Sequence, residues 1–125
     1  MASEESPDFI AWADMAREEV LPGITRQTVH GSRQTMVRYL YAPGAIFPMH
    51  AHPEEQVTVV VRGRIAFQVG EQWRELGPGE VAVIPANLPH GARVIGTEQV
   101  ETFNALSPRR ASAPAVTEHG MRESE

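Results

Sequence analysis

The rhythm of apolar positions changes near residue 23. Before it, Phe9, Trp12, Ala13, Ala16 and Val20 recur at roughly helical spacing. Ser6 stands where a cap is needed, Pro7 suits the first helical position, and Leu21-Pro22-Gly23 ends the run. From residue 24 onward the texture becomes short β-like runs broken by Gly and Pro. Strands are predicted over 24–30, 34–41, 45–50, 56–61, 64–69, 72–76, 81–84, 90–95 and 99–106. Gly31-Ser32 reads as a hairpin turn, and Gly70-Glu71 suits a type II′ turn with Gly in its first central position. This many short strands, with almost no helix after residue 22, predict an all-β sandwich or barrel. The expected organisation is a short N-terminal helical arm over 1–23, a barrel over 24–108 and a flexible C-terminal tail over 109–125.

One strand departs from simple alternation. Val57-Thr58-Val59-Val60-Val61 is largely apolar on both faces, whereas a strand with one wet face alternates. Its second face is therefore expected to be covered, by the N-terminal arm or by another subunit. That favours a homodimer.

Composition narrows the chemistry. The 125 residues suffice for one sizeable core, and no apolar run approaches a membrane span or a signal peptide, so a cytoplasmic location is expected. Without Cys, disulfides, thiolate metal sites and thiol nucleophiles are excluded. The basic residues are 11 Arg with no Lys, which removes Schiff-base chemistry. The net charge of −5 is confined to residues 1–20, and the neutral remainder argues against nucleic-acid binding.

The histidines carry the strongest chemical signal. His50 and His52 are two residues apart, so an extended backbone projects both imidazoles to one face. Gln56 continues that parity and offers an amide oxygen. His90, after the turn residues Asn87-Leu88-Pro89, can be brought opposite the pair. Imidazoles plus a side-chain oxygen suit one divalent transition metal: Fe, Mn, Ni or Zn. His30 and His119 are expected to be hydrogen-bonded residues without a metal role.

These residues fall into two ordered motifs. The first is Gly44, five residues, His50-Ala51-His52, Pro53-Glu54-Glu55, Gln56, six residues and Gly63. The second is Gly79, five residues, Pro85-Ala86-Asn87, Leu88-Pro89, His90, three residues and Val94. Fifteen residues, Arg64–Pro78, separate them. In this pattern the chain resembles the small single-domain cupins over roughly residues 24–108. The resemblance implies a double-stranded β-helix, or jelly-roll barrel, with a metal inside. It departs from the family at Gln56 (usually Glu), Asn87 (usually Gly) and Val94 (usually Asn). Alternation turns Glu55 to the opposite face, so Gln56 is the expected oxygen ligand.

Within the superfamily, the stretch Asn104-Ala105-Leu106-Ser107-Pro108-Arg109-Arg110 is similar to the tail of cupins that open unsaturated uronic acids. Asn104 stands where those proteins carry an acid/base Asp, and Asn cannot transfer a proton at neutral pH. Arg110 keeps the position expected to bind an acidic substrate. Glu101 and Tyr39 complete the candidate catalytic set, with Tyr41, Arg38 and Gln68 also near the expected barrel mouth. The size and His-x-His pattern also look like polyketide-cyclase cupins. The expected function is metal-dependent isomerase, lyase or cyclase chemistry on a small molecule through a stabilised enolate. A dioxygenase and a non-catalytic ligand-binding cupin are the alternatives.

Overall fold

Alternation along the strands dictates which side chains meet, and the computed structural model, which describes residues 6–110, follows it closely. Among the described residues, a single 3-10 turn at Trp12–Asp14 is followed by ten strands. They are β1 (Glu18–Leu21), β2 (Ile24–His30), β3 (Thr35–Tyr41), β4 (Ile46–His50), β5 (Glu55–Arg62), β6 (Arg64–Val69), β7 (Gln72–Leu76), β8 (Val81–Ile84), β9 (His90–Ile95) and β10 (Val100–Ser107). Every strand from β2 onward lies within a residue of its expected bounds. A six-stranded sheet in the order β1-β2-β3-β10-β5-β8 faces a four-stranded sheet in the order β4-β9-β6-β7. All pairings are antiparallel, as in a jelly roll. Among the described residues, no helix is long and apolar enough to cross a membrane.

The core closes between the sheets. Ile24, Tyr41, Val60 and Val100 come from the larger sheet and Phe47, Ile65, Phe67 and Val94 from the smaller. β10 lies between β3 and β5, with Asn104 opposite both Val37 and Thr58, and Leu106 opposite Gln56. Thr102, Asn104, Gln56 and Thr58 therefore share the inner face, and all four are buried.

The N-terminal segment corrects the sequence-based expectation. Among its described residues only Trp12–Asp14 is helical, and Glu18–Leu21 pairs with β2 as a strand. A lone helix of this length is marginal in water. The edge of β2 instead offers ladder hydrogen bonds, and Glu18 gains an ion pair with Arg26 at 3.0 Å. Trp12 packs against Phe103 of β10 with ring centroids 5.9 Å apart, and Gln27 Nε2 donates to Trp12 O and Met15 O. The arm thus lies on the outer face of the larger sheet but over β10. In β5, Thr58 and Val60 point inward, leaving Val57 and Val61 partly exposed. Residues 111–125, including His119 and most of the expected tail, lie outside the described residues.

Two local features draw the motif loops together. Asn87, where the family pattern has Gly, adopts φ 66°, in the left-handed region, and its N–H donates to His52 O at 2.8 Å. At Gly91, next to His90, β9 runs so close to β4 that an added Cβ would lie 2.8 Å from Phe47 O and 3.1 Å from Met49 N. Because these are backbone atoms, Gly91→Ala is expected to destabilise the fold by ~1–3 kcal/mol through overpacking, as measured by urea denaturation.

Candidate metal centre

His50 ends β4 and His90 opens β9, and the two are direct cross-strand partners. Their ring centroids are 4.3 Å apart, and His52 completes the cluster at 4.8 Å from His90 and 5.7 Å from His50. One nitrogen from each ring lies within 4.8 Å of the others. His52 and His90 are buried and His50 is half-buried. The pair two residues apart and the distant third histidine thus meet at one place.

The backbone sets the tautomers. His50 Nδ1 lies 2.8 Å from Pro48 O, His52 Nδ1 3.1 Å from Glu54 O, and His90 Nδ1 2.9 Å from Leu88 O. A carbonyl oxygen only accepts, so each Nδ1 carries the proton and each Nε2 presents a lone pair. His90 Nε2 is buried with no hydrogen-bond partner among the described residues. His52 Nε2 faces Gln56 Oε1 at 3.0 Å. That oxygen is also an acceptor, because the Gln56 amide nitrogen is committed to Thr58 Oγ1 at 2.9 Å and Asn104 Oδ1 at 3.1 Å. Two lone pairs in contact repel unless a cation or proton lies between them. Burial opposes the proton and lowers the His52 pKa, helped by the nearby Arg110 charge. The orphaned His90 nitrogen and this acceptor pair fit a divalent cation. A spacing of 3.0 Å also suits two donors ~2.1 Å from one ion.

The remaining candidates divide by strand parity. Asn104 is inside, but its amide is fully engaged. Nδ2 donates to Val37 O and Thr102 Oγ1, and Oδ1 accepts from Thr58 and Gln56. Arg110 is buried, with Nε 3.3 Å from Glu54 Oε1 and its backbone N–H on Thr35 Oγ1. Tyr39 is half-buried, in edge contact with Phe47, whose ring stacks 4.6 Å from that of His50. Glu101 is not brought to the cluster. It lies on the outer face of β10, bound to Arg38 Nε at 2.7 Å and facing Arg62 at 3.6 Å. Arg38 shares that outer face, Tyr41 is buried in the core, and Gln68 donates to Gly70 O. His30, as expected, is hydrogen-bonded, to Thr35 Oγ1 at 2.9 Å. Glu55 is exposed, as alternation requires.

Sequence reasoning missed Glu54. Its carboxylate is 3.4 Å from His52 Nδ1 and 3.3 Å from Arg110, so it joins the cluster to the arginine from behind. The signal was the general habit of metal-binding imidazoles to back onto a carboxylate or carbonyl. An acid two residues from a histidine was worth testing in that role.

Fold and cluster together define a β-barrel protein with an internal three-histidine centre. Residues 37–106 match the cupin domain family, and the chain belongs to that family. Its fold is similar to that of KdgF from Halomonas sp., with a TM-score of 0.77 and 27% identity, covering 85% of this chain and 97% of that one. An RmlC-like cupin from Shewanella frigidimarina also superposes with a TM-score of 0.77, at 25% identity over 87% of this chain and 97% of that chain. Dimethylsulfoniopropionate lyase DddQ from Ruegeria pomeroyi is 36% identical over 56 residues, or 43% of this chain. The match spans 28% of that relative's length.

Protonation should report the cluster directly. Burial, reinforced by the neighbouring His90, pushes the His50 pKa from 6.5 down to about 3. Burial lowers His90 to about 4 despite its hydrogen bond to Leu88 O. Depressed native values mean that the unfolded chain binds more protons between these values and 6.5, so stability falls as pH falls through that window. Metal-free protein is expected to be unaffected by these groups above pH ~7 and to lose thermal stability progressively toward pH ~4. Melts of His50→Gln should show a shallower pH dependence than the parent.

Proposed function

We propose that this cupin is a metal-dependent enzyme acting on a small carboxylate-bearing molecule as a lyase, isomerase or cyclase. The observation that carries the reading is the convergence of three imidazoles whose Nδ1 atoms are tied to carbonyls, with His90 Nε2 unpartnered among the described residues. In this reading His50, His52, His90 and Gln56 hold one Fe, Mn, Ni or Zn ion. When bound, the ion supplies a Lewis acid that stabilises negative charge developing on a substrate oxygen. Three imidazoles and an amide add no negative charge that would weaken this effect.

The chain's own groups then have distinct tasks. Arg110, steadied by Glu54, takes the substrate carboxylate. Proton transfer falls to Tyr39, because Asn104 cannot move a proton and Glu101 is committed to Arg38 and Arg62. Phe47 touches both the Tyr39 and the His50 rings and gives the approach an apolar wall. DddQ, named as a lyase, supports the lyase branch. A non-catalytic ligand-binding cupin is the second reading, favoured by the full engagement of Asn104 at the acid/base position.

Metal analysis of untagged protein, followed by a turnover screen on unsaturated and β-substituted carboxylates, tests both. His90→Ala should lose most of the metal while remaining folded. Tyr39→Phe should retain metal and lose ~100-fold or more in turnover. Full metal content in His90→Ala would overturn the assignment, and a co-purified ligand that is never turned over would favour the binding module.

We further propose a homodimer through the outer face of β5 and β8. Val57 pairs with Val83 and Val59 with Val81 in register, and Val57, Val61, Val81 and Val83 are 38%, 40%, 52% and 59% exposed. A contiguous valine surface beside an edge strand invites pairing with a second copy. Light scattering should give twice the 13.8 kDa chain mass. Val83→Glu should shift the protein to monomer, and a monomeric parent would refute the assignment.

A further inference from the structure

We infer that Asn104 is a positioning residue for the metal site, which sets the Gln56 amide so that its oxygen, and not its NH2 group, faces His52. The inference rests on the reading of Gln56 as a ligand and asks what holds that side chain in a coordinating orientation.

Amide oxygen and nitrogen are nearly the same size, so orientation must come from the hydrogen-bond network. Here the network starts at a group with no freedom of choice. Val37 O is a backbone carbonyl and only accepts, and it lies 3.1 Å from the Asn104 amide nitrogen. That contact makes the nearer atom Nδ2, and the same nitrogen reaches Thr102 Oγ1 at 3.0 Å. Asn104 Oδ1 therefore points the other way, accepting from Thr58 Oγ1 at 2.6 Å. Its second donor is Gln56 Nε2 at 3.1 Å. Thr58, having spent its proton on Asn104, accepts from Gln56 Nε2 at 2.9 Å. Both Gln56 amide hydrogens are then used, and Oε1 is left facing His52 Nε2 at 3.0 Å.

The whole file is buried: Asn104 is 2% exposed, Thr58 and Thr102 0%, and Gln56 9%. Water therefore does not substitute readily for a missing partner, and each bond is expensive to leave unmade. The backbone supports the file. Antiparallel register places Asn104 directly opposite Val37 on one side and Thr58 on the other.

Removing the Asn104 amide reverses the logic. With Leu at 104, the Thr58 hydroxyl loses the oxygen it donates to, and the amide already in contact with it is that of Gln56. Turning Gln56 Oε1 toward Thr58 presents NH2 to His52 and to any cation held there, and a donor repels a cation. A neutral Asn in place of an acid thus has a positive role. It is matched to Gln as the neighbouring residue, because a carboxylate at 104 lacks the amide N–H groups that the Val37 carbonyl anchors.

The test is a double-mutant cycle read by Co2+ titration, with thermal melts to check folding. Asn104→Leu should weaken Co2+ binding by ~10–100-fold, the range expected for an outer partner of a metal ligand, and Gln56→Ala, which removes the ligand itself, should weaken it at least as much. The double variant should be no weaker than Gln56→Ala alone, since Asn104 acts only through Gln56. Asn104→Val replaces Asn104→Leu if the latter does not fold. Thr58→Ser, which keeps the hydroxyl, should leave affinity within ~3-fold of the parent, a loss of well under 1 kcal/mol. If Gln56→Ala weakens binding but the Asn104 variants do not, the positioning role is refuted and Gln56 remains a ligand. Additive losses in the double variant refute it too, showing a general structural effect. Unchanged affinity in Gln56→Ala removes Gln56 as a ligand and the inference with it.

Discussion

The pairing of β10 with β3 on one side and β5 on the other is the constraint on which the interior depends. Strand side chains alternate with a period of two, so a slip of one residue on either side would carry a whole file from the inner face to the outer. With Asn104 held between Val37 and Thr58, the inner face of the larger sheet receives Thr102, Asn104, Thr58 and Gln56 together. The same register turns Glu101 outward to Arg38 and Arg62. One arrangement of backbone hydrogen bonds thus decides which polar side chain serves the histidine cluster and which serves the surface.

The smaller sheet contributes the histidines through a different economy. His50 and His90 face each other across the β4–β9 pair, and the close approach at Gly91 keeps those strands together. His52 lies beyond the end of β4, where a regular strand no longer holds it. Its carbonyl is tied to the Asn87 N–H, and its ring is backed by the Glu54 carbonyl and carboxylate. Each imidazole is therefore fixed by a local backbone acceptor, while the tertiary fold supplies only their convergence. Preorganisation of this kind lets the lone pairs meet without reordering long side chains at the moment of binding.

Burial gives the centre its electrostatic character. The cluster is low in dielectric and bordered by the Arg110 guanidinium, and both depress imidazole basicity. Glu54 offsets part of that positive charge from behind His52 and ion-pairs with Arg110. Beside His50 stands the Phe47 ring, itself in edge contact with Tyr39.

Much of this was legible in the chain itself because the determinants are local. Alternating runs and Gly/Pro turns located β2 to β10 almost residue by residue, but shared strand parity is not what joins His50, His52 and Gln56: His50 ends β4, His52 lies between strands, and Gln56 belongs to β5 of the other sheet. The cupin motifs added His90, whose partner lies 40 positions earlier in the chain and is brought to it only by strand pairing. Other features depended on what the fold places beside a residue. The helical spacing of Phe9 to Val20 was real, yet the free edge of β2 offered Glu18–Leu21 a better set of hydrogen bonds. Nothing in the local sequence linked Glu54 to Arg110, or Asn104 to Val37 O. Their orientations follow from the requirement that buried polar groups be paired, and only the assembled barrel determines which groups are buried together.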